Sequence, residues 1–418
     1  MKVLFICRHI PYRPDSGVTA RIYNLLVSLS GVSDVACAFI VDRDAGNEPA
    51  LQECRLNVTN YLIETDKSDL SPLRYIFHLL DIFFIPGKVR KALTAIIERE
   101  KPDVVWLEFG YLCHLVPFAR KFGLPVIYGS HNSQFRLDFA LWKSNPSLSY
   151  RLKMALFVLL YFIHERALCP MADLVLCISR QDLDYYRGFM YPDQLRLLPF
   201  LYDDGVLAGV EPLRPGHPYI CMVGSLRAYQ NYAAAMFALE QVWPILFREN
   251  VGLHLYIVGE LPGDGTPEYR RLKESVAASE RVVLTGRVDS AIPVVKGALA
   301  SLVPLSIGSG VRTKIIESAA CGTPVVSTTI GAEGLPFVDG DSIFIADTAV
   351  QLAERVLQLQ NDRSLRADMA QKAYIKYHDE LSCEAGRRII GEIFRGLSQP
   401  DGRPPGEVKA DARTGGKV

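Results

Sequence analysis

The sequence has no net charge: Lys and Arg together number 46, and Asp and Glu also number 46. With no global positive field to gather a polyanion, nucleic-acid binding is not expected, and any anion site must be local. Disulfide and metal-ligand spacings are missing too. The nine cysteines, at positions 7, 37, 54, 113, 169, 177, 221, 321 and 383, form an odd set without CxxC or CxxH spacing. Several sit in apolar runs such as VLFIC and LVLCIS, and they read as reduced core thiols. The eight histidines lack HxH or HExxH spacing. The two DxD triplets, Asp42-Arg43-Asp44 and Asp339-Gly340-Asp341, lie in turn-like sequence and read as solvated loops, so no metal site is expected. Long hydrophobic runs are also scarce. The N-terminus, MKVLFICRHIPYRP, meets Arg8 before it reaches the apolar length of a signal peptide, about 7–15 residues. The longest uncharged apolar run, 154–163, is about half of the ~20 residues that a spanning helix needs. A cytosolic chain without a transmembrane span is the expectation.

What is present is a packed α/β pattern. Hydrophobic residues make up 49% and charged residues 22% of the 418 positions; at roughly 100–200 residues per domain, two or three domains are expected. Residues 2–7 form an apolar run, followed by a Pro-rich loop and then by apolar spacing at Ala20, Ile22, Leu25, Leu26 and Leu29. The same strand–loop–helix grammar recurs at 35–41, at 104–107 before a helix over 112–122, at 126–128, and at 174–178 before a helix over 180–187. Such alternation implies mostly parallel sheets covered on both faces. Residues 199–218, rich in Pro and Gly, interrupt the pattern, and it restarts at 219 with strands at 219–223, 253–258, 282–284, 301–305 and 324–328. The sequence therefore divides into a first domain over 1–200, a linker over 201–217, a second domain over 218–383, a last helix over 384–398, and a tail over 399–418. The tail has no apolar period and reads as disordered.

The stretch 301–335, SLVPLSIGSGVRTKIIESAACGTPVVSTTIGAEGL, carries the most chemistry. An apolar strand runs into Gly308-Ser309-Gly310, and a helix follows with Arg312 and Lys314 in its first turn. Glycines allow backbone N–H groups close to a ligand, and a helix N-terminus is partly positive, so the segment reads as a phosphate cradle. Cations oppose the dipole at that end unless an anion binds nearby. The plainer alternative is two side chains pointing to solvent. Glu317 lies at i+3 from Lys314, either to accept hydrogen bonds from sugar hydroxyls or merely to pair with Lys314. A nucleoside diphosphate offers both an anion and a ribose diol. Gly224-Ser225-Leu226-Arg227, Gly259-Glu260 and Gly286-Arg287 each follow a strand, at the carboxyl ends where such folds bind ligands.

From about 219 to 335, the order VGS, IVGE, LTGRV, PLSIGSGVRTKIIESAACGTPVVST and GAEGL resembles the donor domain of GT-B glycosyltransferases of the group-1, family-4 kind. The amino half adds P-DSG-TARIYNLL from Pro14 and YGSHNSQF from Tyr128. The resemblance implies an α/β GT-B fold of two Rossmann-like domains facing across a cleft, with the final helix crossing back to the first. It further implies a retaining enzyme, with no metal or other cofactor, that moves sugar from a UDP-, GDP- or ADP-sugar to a glycan or lipid-linked acceptor. In that picture Gly17 closes the first loop against the diphosphate and His131 approaches the transferred sugar. Arg312 and Lys314 neutralise the leaving group, and Glu317 holds the ribose. Gly224, Ser225, Arg227, Gly259, Gly286, Ser309, Gly310, Gly331 and Glu333 line the donor. Two positions depart from the family pattern. Ser309 stands where the first acid of Glu-x7-Glu belongs, and Arg227 is the basic residue that remains of the pattern GR-xxxx-KG.

Glycosyl transfer needs a stabilised diphosphate and an oxocarbenium-like centre rather than a protein nucleophile. A retained configuration lets the departing phosphate oxygen accept the acceptor's proton. His131, after an apolar strand, is the best single polar contact. A dinucleotide oxidoreductase would need GxGxxG after the first strand, where this chain has RHIPYRPDSG. A nucleotide-sugar epimerase and a non-catalytic sugar-nucleotide binder remain the alternatives. Finally, 73–85 and 152–163 are apolar and flanked by Arg and Lys. They suit either a segment lying on the inner face of a membrane or a helix buried in the first domain.

Overall fold

The computed structural model describes residues 1–12, 17–44, 46–65, 85–131, 133–144, 148–249, 252–307 and 310–398. The chain divides into two compact units, Met1–Pro199 with the stretch from Gly386 onward, and Phe200–Ala385. The sequence segments 73–84, 308–309 and 399–418, with Asn132, lie outside the described residues.

The first unit holds a seven-stranded sheet of β1 (Lys2–Cys7), β2 (Asp34–Asp42), β3 (Thr59–Thr65), β4 (Val104–Glu108), β5 (Val126–Ser130), β6 (Leu174–Cys177) and β7 (Leu195–Leu197), in the order β3-β2-β1-β4-β5-β6-β7. Neighbouring strands run parallel, and Val3 pairs with Val35 on one side and Val104 on the other. A parallel sheet is covered on both faces, which is why β1 and β4 read as unbroken apolar runs: Val3 to Cys7 and Val104 to Leu107 are at most 1% exposed. On one face, Leu4, Ile6, Val105, Leu107 and Tyr128 pack with Leu93, Ile97 and Val116 into a single core.

The second unit has six strands, β8 (Tyr219–Val223), β9 (His254–Val258), β10 (Val282–Gly286), β11 (Ala300–Val303), β12 (Val325–Ser327) and β13 (Phe344–Ile345), ordered β10-β9-β8-β11-β12-β13. In each unit the first strand lies between the second and the fourth, so the connections leave it in opposite directions. The crevice at the carboxyl ends of β1/β4 and of β8/β11 is the switch point where doubly wound sheets take ligands.

Several elements depart from the sequence reading. β3, β7 and β13 are strands that the apolar periodicity does not reveal, being short or, for β3, half-exposed. The helix expected over 112–122 is a 3₁₀ segment, Gly110–Leu115, and then a short helix, Val116–Arg120, because Pro117 lacks the N–H of a helix interior. Between the helices Tyr229–Phe237 and Trp243–Glu249 the chain opens into a π-turn over Ala238–Val242, just before Pro244, the same missing donor absorbed another way. Residues 201–217, read as a linker, pack on the second unit. The Lys296 ammonium donates to the carbonyls of Leu207 (2.7 Å) and Val210 (3.0 Å), and Leu213 N–H donates to Pro293 O. All nine cysteines are free thiols, seven of them buried.

Candidate functional site

In the second unit, the switch point gathers the motifs that stand far apart in sequence. Gly224 follows β8, and Gly259 follows β9. Their φ angles of +147° and +149° are left-handed values that glycine adopts without penalty. A Cβ on Gly259 would collide with the Gly224 carbonyl, and one on Gly224 would lie 2.9 Å from Lys314 Nζ. The two glycines therefore let the turns nest and bring the ammonium against the backbone. Gly259 N–H in turn donates to the carbonyl of Gly286, at the end of β10.

Lys314 stands in the first turn of the helix Thr313–Ala320, and its Nζ donates to Asn231 Oδ1 at 2.7 Å. Asn231 Nδ2 donates to the Ser225 carbonyl at 2.9 Å. The chain from Lys314 through Asn231 to Ser225 fixes the ammonium over the Gly224 turn. Burial, with the neighbouring Arg312 charge, pushes the Lys314 pKa down to about 8. Arg312 occupies the N-cap position with φ −89° and ψ 91°, one residue before the first turn in which the sequence reading placed it. Burial pulls its pKa down, and the Glu333 carboxylate opposes that. Glu317 does not pair with Lys314. Its Oε2 accepts from Tyr202 Oη at 3.4 Å, and burial raises its pKa.

The remaining donor candidates divide. Ser225 is exposed beside Gly224. Arg227 is exposed and pairs with Glu260 at 3.0 Å, so it is not directed at Lys314. Gly310 is exposed just before Arg312. Gly331 packs where a Cβ would meet Ser327 Oγ and the Val303 carbonyl, and its N–H donates to Thr328 Oγ1. Glu333 is exposed at the end of the short helix Thr329–Ala332. Ser309 lies outside the described residues.

In the first unit, Gly17 opens the helix Gly17–Ser30, and His131 follows β5. His131 is 7% exposed, and its Nε2 lies 2.9 Å from Glu108 Oε1. Glu108, the last residue of β4 and wholly buried, also accepts from Trp106 Nε1 at 2.8 Å and from Arg21 Nε at 3.3 Å. Arg21 itself is 3% exposed and donates onward to the carbonyls of Pro199 and Leu198. Burial raises the Glu108 pKa, but the His131 hydrogen bond, the Arg21 charge and the Trp106 donor outweigh it, and the group ends below the ordinary carboxylate value. Burial lowers the His131 pKa. The ring is therefore neutral near pH 7. A carboxylate only accepts, so Nε2 carries the proton and Nδ1 is the acceptor.

Next to it, Phe109 has φ 113°, a value that bulky residues avoid and that costs of order 1–3 kcal/mol. Its ring meets His131 edge-on at 5.1 Å and His9 at 5.0 Å. This strained aromatic, placed between two imidazoles at the β1/β4 switch point, marks a second polar focus. Sequence reading identified His131 but not Glu108, Arg21, Phe109 or Asn231. Among the described residues, no three His, Cys, Asp or Glu side chains gather as a metal site.

Comparison with known proteins gives both units a counterpart. The family model described as Glycosyl transferases group 1 matches residues 217–362, and that described as Glycosyl transferase 4-like domain matches residues 16–200. An uncharacterized 44.6 kDa protein in the cps region of Klebsiella pneumoniae is 22% identical over 401 residues, 94% of this chain and 99% of its own. Among solved structures, the sucrose-phosphate synthase of Thermosynechococcus elongatus superposes with a TM-score of 0.67 at 17% identity, over 95% of this chain and 99% of that one. Anabaena HepE, solved with UDP and glucose, does so with a TM-score of 0.62 at 14% identity, over 95% of this chain and 100% of its own.

Proposed function

The chain belongs to the group-1, family-4-like glycosyltransferases of the GT-B fold, and from that we propose that it moves a sugar from a nucleoside-diphosphate donor to a glycan or lipid-linked acceptor, with retention and without a protein-bound metal. The observation that carries the donor half is the ammonium of Lys314 held over the Gly224 turn at the β8/β11 switch point. A diphosphate seated there meets two cations and a helix N-terminus, the charge complement that a leaving group needs as its bond to the sugar breaks. Glu317, with its carboxylate steadied by Tyr202, accepts from the ribose diol. The UDP held by HepE makes a uridine donor the first to test, with GDP- and ADP-sugars after it.

Retention accords with a donor side that offers cations rather than a nucleophile: the departing phosphate oxygen takes the acceptor's proton on the face it leaves. His131 contributes Nδ1, an acceptor for a hydroxyl of the transferred sugar, and Glu108 acts through it by fixing that tautomer. Glu108→Gln presents an amide that can donate as well as accept, so the ring loses its fixed orientation. We expect kcat to fall roughly tenfold with nucleotide affinity unchanged. Rescue by Glu108→Asp with the pH profile restored distinguishes positioning from mere packing.

Donor binding should also depend on pH. Lys314 is cationic below its pKa of about 8, and a bound diphosphate raises that value. Binding thus takes up a proton above pH 8, and affinity falls as pH rises, by up to roughly tenfold per unit. Titration calorimetry with UDP between neutral and alkaline pH checks this, and a flat profile would contradict the role of Lys314. The broader test is a thermal-shift screen of UDP-, GDP- and ADP-sugars, in which one class is expected to stabilise the protein and the others not.

A further inference from the structure

The helix Leu148–Leu168 in the first unit is apolar on its outward face. Its outward face carries Leu152, Leu156, Leu159 and Ile163, exposed by 69, 49, 53 and 46%. At about 100° per residue these four fall within an arc of roughly 60°, so they form one continuous apolar stripe. Its inward face mixes apolar Val158 and Tyr161, 8 and 7% exposed, with polar residues: His164 is 1% and Glu165 2% exposed. Glu165 accepts from Ser133 Oγ at 3.0 Å and from Phe135 N–H at 3.3 Å. A soluble surface helix turns polar residues, not a continuous apolar stripe, toward solvent.

The helix and its partner Gln134–Ser144 also separate charge. Residues 134–168 contain five basic side chains, Arg136, Lys143, Arg151, Lys153 and Arg166, and two acidic ones. Both acids, Asp138 and Glu165, are buried, whereas Lys143 is exposed, as is Arg136, which pairs with Asp182 at 3.6 Å. Trp142 lies where the two helices meet, with its indole N–H on the Arg151 carbonyl at 2.8 Å and the Arg151 guanidinium over its ring at 4.7 Å. Exposed leucines, an excess of basic residues on the same helix pair and a half-buried tryptophan are the elements of a face for an anionic bilayer.

We propose that this helix docks the protein on an anionic lipid surface, lying in the headgroup plane with Leu152, Leu156, Leu159 and Ile163 inserted. Residues 154–171 are long and apolar enough to span, with a mean hydropathy of 1.4. Spanning would nevertheless strip Glu165 of its partners in a medium that strongly penalises a bare carboxylate, so the helix lies on the surface. The proposal does not depend on which sugar is transferred.

The test uses the full chain and two kinds of vesicle, phosphatidylcholine alone and phosphatidylcholine with phosphatidylglycerol. We expect the protein to float with the anionic vesicles at low ionic strength and to be released by half-molar salt. The double variant Leu156→Glu/Leu159→Glu, altered at exposed positions, should lose at least roughly tenfold in partitioning while its melting temperature and its nucleotide-induced shift stay unchanged. Trp106 and Trp243 are buried, so Trp142 alone should be quenched by brominated lipid, and Trp142→Phe should remove that signal. Absence from anionic vesicles, equal binding to neutral ones, or resistance to salt would overturn the proposal. So would self-association of the wild type that the double variant abolishes without any lipid binding.

Discussion

Lys314→Ala should abolish the stabilisation that a nucleotide donor gives, raising the Kd for the nucleoside diphosphate by about a hundredfold or more, roughly 3 kcal/mol. The size follows from the environment. Burial and the Arg312 charge hold the free ammonium at a pKa of about 8, so the unliganded protein already penalises the charge. A bound diphosphate repays that penalty at the moment of binding, in surroundings drier than bulk water. Unliganded stability should change little: the variant loses one hydrogen bond to Asn231, worth about 1 kcal/mol, and removes a cation that burial disfavours. Thermal melts with and without UDP separate the two effects. An unchanged ligand shift would refute the phosphate role, while a collapsed unliganded melt would mean that Lys314 is structural.

His131→Ala should leave nucleotide affinity within about threefold and lower kcat by about 10²–10³. The ring is held on one side by Glu108 and on the other by the edge of Phe109, so it presents Nδ1 in a single orientation. Removing it leaves Glu108 with Arg21 and Trp106 as partners, and folding survives at a stability loss of about 1–3 kcal/mol. Single-turnover transfer under saturating donor isolates the chemical step. Full turnover in the variant would remove His131 from the reaction.

The sheets were legible because parallel strands must be apolar on both faces, and such runs as VLFIC, VVWL and YICMV carry that demand within a few residues. Lys314, Gly224 and Gly259 were legible for a different reason. A cation in a helix's first turn and glycines at strand ends are local anomalies that a bound anion or a close approach of backbones would account for. Glu108 and Arg21 were not. A glutamate closing an apolar strand reads as the exit to solvent, and an arginine in the helix Gly17–Ser30 reads as its wet face. Only the folded sheet, which sets the end of β4 beside the start of that helix and the end of β5, makes them a buried pair. Asn231 was hidden in the same way, because its meaning comes from Lys314, which lies 83 positions away. The helix Leu148–Leu168 shows the converse, since sequence identified its apolar character but could not say which face was turned outward.

The most direct test of the account is a crystal structure of the protein grown with the nucleoside diphosphate that stabilises it most. The diphosphate should lie at the carboxyl ends of β8 and β11, its oxygens within hydrogen-bond reach of Lys314 Nζ and the Gly224-Ser225 turn. A nucleotide lodged instead in the cavity of ≈ 270 Å³ lined by Arg227, Tyr229, Tyr232 and Glu268, with Lys314 still bound only to Asn231, would contradict it.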